Sequence, residues 1–270
     1  MTECSLSKSP ETVIIFGEYW PVVSAVRSVI QGSGLSGRCI QVHTIPELTA
    51  QLFSGNVTRM IFCLRPREHV FLFYALKRYL SCIPLLIICD DVFFTDRVML
   101  QCIGVVPVMQ HSELQVLITG SRGRRSVGKL PEGHILSHFL TTGYTEDKRC
   151  ELPDIFDNPD DLMSYLQDIA RDKRKKQGLT FFQERLLQEM SDGYQSLELL
   201  SQRLCCGQKK VSRERRLLPM KLGMSPGLSA LLYGSLFCNT VQKTKFHFPL
   251  SEVEPPRESL AAVPIPLECG

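Results

Sequence analysis

The chain has 270 residues, a net charge of +3, 44% hydrophobic side chains and 11 cysteines. That length accommodates two domains with their own cores, and so small a net charge does not by itself point to nucleic acid. The cysteines run from Cys4 to Cys269 without paired-ligand spacing or scaffold density, which argues for reduced thiols over a disulfide framework or a metal site. The first residues lack an apolar signal core, and no apolar run approaches the roughly 18 residues of a membrane span. A soluble, cytoplasmic protein with no membrane partner is expected.

From Glu11 onward, short apolar runs alternate with amphipathic segments. Val13 to Phe16 reads as a buried strand, and Val22, Val23, Val26, Val29 and Ile30 form one face of a following helix. Cys39 to Val42 is a strand and Ile45 to Phe53 a helix; Met60 to Leu64 is a strand and Val70 to Leu80 a helix. Leu85 to Cys89, Phe94 to Cys102, Gly104 to Val108 and Ser112 to Ile118 continue as strand, helix, strand and helix. Five such units with continuously apolar strands predict a parallel sheet covered on both faces, a flavodoxin-like α/β domain over residues 11–120. Gly32, Gly34 and Gly37 spell GxGxxG, but they follow a helix and precede a strand, the reverse of what phosphate cradling needs. They read as a helix-ending loop, and no cofactor is expected.

Residues 121–176 read as a linker carrying one amphipathic helix. Ser121 to Lys129 is basic and glycine-rich, hence flexible by composition. Asn158 and Pro159 supply a cap and a first-turn proline, and Asp160 and Asp161 favour the helix dipole. Leu162, Tyr165, Leu166 and Ile169 then form a stripe whose cover is either the α/β half or another subunit. Arg171 to Lys176 reads as a solvated basic run. Beyond Phe237, Pro249, Pro255, Pro256, Pro264 and Pro266 predict an extended or flexible tail over residues 239–270.

Charge is not evenly spread. Residues 171–221 hold 13 Lys/Arg against 6 Asp/Glu, net +7, leaving −4 elsewhere. Within them GQKKVSRERRLLPMKLG, Gly207 to Gly223, places Val211, Leu218 and Leu222 on one helical face and Lys209, Arg213 and Arg216 on the other. Three clustered cations cannot face a protein core without a large desolvation cost, so that face meets water or an anion.

Leu179, Thr180, Leu186, Leu187, Gly193, Leu200, Leu204, Val211, Ser212, Leu218, Lys221, Leu222 and Gly223 resemble the helix-turn-helix pattern of LuxR/FixJ-type regulators, over a four-helix all-α domain at residues 177–238. The resemblance implies a first helix on Phe182, Leu186, Leu187 and Met190 ended by Gly193, a recognition helix opened by Gly207, and a fourth helix capped by Ser225 and Pro226. That last helix, with Leu228, Leu231, Leu232 and Leu236, is a dimerisation surface in several such regulators. Carried over by position, Ser212, Arg213 and Arg216 face the groove of double-stranded DNA, and Lys209 and Lys210 meet phosphates. Glu214 stands where the family usually has His, one extra residue precedes the second helix, and Pro219 predicts a kink or early end of the recognition helix.

A flavodoxin-like half before such a headpiece resembles response regulators of RcsB-like architecture. Their receiver chemistry needs carboxylates after strand one, an acceptor Asp ending strand three, a Ser/Thr after strand four and a Lys after strand five. Here the corresponding positions are Gly17 and Glu18, Cys63, Cys89 and Val108. Only Glu18 keeps the chemistry, Asp90 and Asp91 read as exposed loop acids, and the six histidines read as ordinary. The resemblance therefore implies a bacterial DNA-binding transcriptional regulator, not an enzyme, with a phosphorylation-independent pseudo-receiver. It would act as a homodimer or with a related regulator, and no small-molecule substrate is identified. The alternative is an auxiliary interaction subunit or antagonist with little DNA binding of its own.

Overall fold

The computed structural model describes residues 11–34, 37–104, 106–120, 130, 133–142, 152–153, 155–194 and 196–250. Five parallel strands, β1 (Glu11–Phe16), β2 (Gly37–Val42), β3 (Arg59–Phe62), β4 (Leu85–Cys89) and β5 (Val108–Gln110), form one sheet in the order β2-β1-β3-β4-β5. The central strands bury both faces because both are covered. On one side Val13, Ile15, Ile61, Leu86 and Ile88 pack under α1 (Trp20–Gly32), α6 (His111–Gly120) and α7 (Ile135–Thr142). On the other, Ile14, Phe16, Met60, Phe62 and Ile87 meet α2 (Ile45–Phe53), α3 (Val70–Ala75), α4 (Lys77–Cys82) and α5 (Phe94–Cys102).

Three expectations for this half are corrected. The helix expected over Val70 to Leu80 is two short ones, turning at Leu76. All six residues of α3 are buried, so it behaves as a helix apolar all round, needing cover on every side. The fifth strand starts where it was expected to end. Pro107 has no N–H for the ladder and contributes its carbonyl to Ile87 N, so pairing runs over Val108–Gln110. Residues 133–142 hold a helix, α7, that the linker reading lacked. Ser121 to Lys129 lies outside the described residues. The glycine string behaves as a loop: Gly34 has φ +72° after α1, and a Cβ on Gly37 would lie 2.8 Å from Glu11 O.

α8 (Pro159–Lys176) opens as its sequence requires, with Asn158 Oδ1 accepting from Asp161 N at 2.9 Å. Its stripe is covered within the chain, since Leu162, Leu166 and Ala170 are buried in the same core as Phe94 and Val98 of α5. That core runs on into α9 (Phe181–Ser191), α10 (Leu197–Arg203), α11 (Gln208–Lys221) and α12 (Leu228–Ser235). The basic end of α8 is not wholly solvated. Arg174 is buried, its Nε and Nη2 donating to Glu184 at 2.9–3.2 Å and its Nη1 to Ser235 O at 3.0 Å, which clamps α8, α9 and α12 together.

Candidate nucleic-acid interface

Local sequence sets the geometry of α9 to α11. Thr180 and Gln183 form a capping box at the start of α9. Gly193, at φ +98°, ends it with Gly193 N bonding Met190 O and Tyr194 N bonding Glu189 O. Ser196 Oγ caps α10 by accepting from Leu199 N at 3.1 Å. The turn into α11 passes through Cys205, the non-glycine residue with positive φ (48°) among the described residues, and Gly207 is the N-cap.

Val211, Leu218 and Leu222 bury the inner face of α11, while Lys209, Lys210, Arg213 and Arg216 are exposed and Ser212 is half-buried. The structure thus brings the five candidate DNA contacts onto one helix, with no acidic residue in its first turn. Lys210 Nζ lies over the Phe182 ring, 4.4 Å from its centroid, a contact that orders the ammonium without neutralising it. Arg213 is tied to its neighbour, Nη2 and Nε donating to Glu214 Oε1 at 2.9 and 3.1 Å. Glu214 is held below the ordinary carboxylate range by the Gln183 amide, which donates at 2.8 Å, and by Arg213.

Buried Gln183 is the pivot. Its Oε1 accepts from Thr180 N at 3.0 Å and from Lys221 Nζ at 2.9 Å, while its amide holds Glu214. The start of α9 is thereby fastened to the middle and to the C-terminal end of α11. Pro219 neither ends α11 nor sits at its surface, as the helix runs to Lys221 and Pro219 is buried. The proline falls in the last turn, where few intrahelical bonds remain to be lost. Beyond it, Arg97 of α5 donates to the carbonyls of Leu222 and Gly223, a cation on the negative end of the helix dipole.

The expected fourth helix is capped differently. Gly227, not Ser225 or Pro226, is the N-cap of α12. This helix packs on the α/β half: Thr95 Oγ1 donates to Gly234 O at 3.0 Å, and Tyr233 meets Phe93 edge-on at 5.4 Å. The Arg67 guanidinium stacks 3.6 Å from the Tyr233 ring centroid.

At the carboxyl edge of the sheet, Gly17, Glu18, Cys63 and Cys89 do come together, but Val108 does not join them. It pairs with Ile87 inside the ladder, and Gln110 and His111 reach the edge instead. A Cβ on Gly17 would lie 2.9 Å from both Cys63 Cβ and Cys63 O. Burial pushes the thiols of Cys63 and Cys89 up to about 12, so neither is a nucleophile near neutrality. Asp90 is exposed, as expected, yet it is bonded to the His111 ring and, at 3.2 Å, to Arg65. Burial resists its ionisation, but those two partners outweigh it and hold its carboxyl low. His69, far from ordinary, is buried, its ring pushed down to about 4 by desolvation and then by Lys243. Beside it Asp96 accepts from Arg67 N at 2.8 Å and Phe93 N at 2.9 Å. Burial still raises its carboxyl to about 6.

No protein-family model matches the chain, nor does any curated protein sequence. Among solved structures, it is similar to RcsB from Salmonella enterica serovar Typhimurium bound to promoter rprA in the presence of phosphomimetic BeF3−, at TM-score 0.51 and 12% identity, covering 83% of this chain and 98% of that one. The shared fold is a five-stranded parallel α/β domain followed by a helical domain. A second RcsB complex, on promoter P1flhDC, gives TM-score 0.48 at 13% identity over 84% of this chain and 98% of that one. Full-length FixJ from B. japonicum gives 0.31 at 9% over 83% and 94%.

Within this fold, sequence reasoning missed the residues that join its two halves. Gln183 was legible in the T-x-x-Q spacing of a capping box. The contacts that Arg67, Asp96 and Arg97 make across the fold carry no local signal, because those partners lie 29 to 126 residues away.

Proposed function

We propose that this chain is a bacterial DNA-binding transcriptional regulator whose α11 enters the major groove, acting on DNA in the cytoplasm. The observation that carries the reading is the exposed cationic face of Lys209, Lys210, Arg213 and Arg216 on a helix whose opposite face is buried. Lys209 and Lys210, in the first turn, meet phosphates; Ser212, Arg213 and Arg216 face base edges. The α/β half works without phosphorylation, since a buried thiol stands where an acceptor carboxylate would, and Gly17 has no room for a side chain. Control is then by partner binding or abundance, the partner being a second copy or a related regulator.

The test is fluorescence anisotropy on labelled bacterial promoter fragments across a salt series. The Arg213→Ala/Arg216→Ala variant is expected to bind at least about 30-fold more weakly than the parent, from roughly 1–3 kcal/mol per base-reading arginine. Equally weak binding by both proteins at low salt rejects the reading. The Arg213–Glu214 pair favours one second reading, an auxiliary subunit of a related regulator, because that pair neutralises one of the groove-facing charges. Stable co-purification with such a regulator, without DNA affinity, is its signature.

A further inference from the structure

The cleft at the carboxyl edge of the sheet has a volume of about 460 Å3. Every residue lining it comes from the α/β half except Lys243. The Lys243 ammonium lies 2.7 Å from Glu68 Oε2 and 3.9 Å from Glu18 Oε2, and its backbone N–H donates to Glu68 O at 2.8 Å. Residue 243 belongs to the segment expected to be a flexible tail.

That segment is extended, as expected, but it is not loose. Residues 242–250 run beside residues 67–75 in the same direction. Gln242 Oε1 accepts from Val70 N at 3.0 Å, and its Nε2 donates to Arg67 O at 2.8 Å. Phe246 stacks on Tyr74 with centroids 5.6 Å apart and planes 15° apart, and meets Phe71 edge-on at 5.7 Å. Leu250 N donates to Ala75 O at 2.9 Å. The strap therefore supplies the outer cover that α3 needs, and it satisfies a first-turn N–H of α3. Its ionic contact coincides with the junction of the two halves, because the Glu68 carboxylate also accepts from the hydroxyl of Tyr233 on α12.

We propose that residues 238–250 are an intramolecular latch: Lys243 is the resident ammonium of the sheet-edge cleft, and the strap's grip on residues 67–75 holds α12, and with it the α11 headpiece, against the α/β half. Glu68 is the shared keeper. With the strap seated, it fixes Lys243 and Tyr233 together; with the strap lifted, Arg67 and Glu68 lose the backbone contacts that hold them under Tyr233. The cleft is thus a site for a primary ammonium on an extended segment. This proposal rests on the geometry of the two halves and stands whether or not α11 binds DNA.

The latch is tested by hydrogen exchange with mass spectrometry on the full chain. The Gln242→Ala/Lys243→Met variant removes the Gln242 side-chain hydrogen bonds, those to Val70 and Arg67 among them, and the ion pairs of Lys243 with Glu68 and Glu18, each modest alone. Exchange is expected to rise about tenfold or more in residues 238–250 and in α12, with β1 and β4 unchanged. Phe246→Ala, which cuts the aromatic anchor without touching the cleft, is expected to accelerate the same two regions. Faster exchange in 238–250 with α12 unmoved, in either variant, overturns the latch and leaves a passive covering strap. No acceleration in 238–250 overturns the grip assigned to Gln242 and Lys243.

Discussion

The sheet edge and the exposed face of α11 are both crowded with charge, and they dispose of it in opposite ways. At the edge, Glu68 and Asp90 are matched against Lys243 and Arg65, Asp96 against backbone N–H groups, and the Arg67 guanidinium lies on the Tyr233 ring. On α11, Lys209, Lys210 and Arg216 are exposed, and of the four candidate cations Arg213 is the one paired with a carboxylate. Charge matched internally contributes to folding and is unavailable to a ligand, whereas unmatched exposed charge is nearly neutral for folding and free to meet a polyanion. Mutation should therefore separate the two regions by what it damages.

The largest effect belongs to the edge. Asp96→Ala leaves the N–H groups of Arg67 and Phe93 without acceptors and takes away the carboxylate that most favours the charge on the buried Arg67 guanidinium. A loss of about 3 kcal/mol in denaturant unfolding is expected, at the low end for breaking a buried pair because burying the carboxylate is itself costly. A loss below about 1 kcal/mol would show that the edge network is ornamental. Acid unfolding then gives the sign. The His69 ring drops from 6.5 to about 4 on folding, so its contribution is present above pH 6.5 and is lost as pH falls toward 4. Asp96 works the other way, its raised carboxyl favouring the fold as pH falls from about 6 toward 3.8. Comparing His69→Leu with the parent isolates the first term: the variant should gain about 3 kcal/mol on the parent between pH 7 and pH 4. A pH-independent difference refutes the assignment.

Smaller effects are expected around α11. Cys205 spends backbone energy in the turn that aims the helix, at φ 48°. Cys205→Gly should raise the unfolding free energy by about 0.5 kcal/mol, the relief of left-handed strain less the added chain entropy, and a clear loss would mean that the side chain holds the turn. Arg213→Ala/Arg216→Ala should change stability by no more than about 0.5 kcal/mol while DNA affinity collapses. A large stability loss there would erase the contrast between the two regions.

Much of the fold was legible because its signals are local. Apolar runs such as Leu85–Cys89, the Asn158–Pro159 cap and the Gly193 stop each depend on a handful of adjacent residues. The slip at β5 has a local cause as well, since Val106 looked like strand but Pro107 withholds the donor that pairing needs. Candidate DNA contacts were legible from the helical period of Lys209, Arg213 and Arg216. What joins the halves was not. The Arg67–Asp96 and Arg174–Glu184 contacts and the path of residues 242–250 depend on tertiary closure between segments that carry no pattern of their own.

The contact between Gly17 and Cys63 limits what position 17 can carry. A carboxylate at position 17 would begin with a Cβ pressed against the carbonyl of residue 63, and replacing the cysteine side chain would not move that carbonyl. An acid there would require strand β3 to shift against β1. The charge at this edge is therefore carried away from position 17, by Glu68 and Asp90 against Lys243 and Arg65.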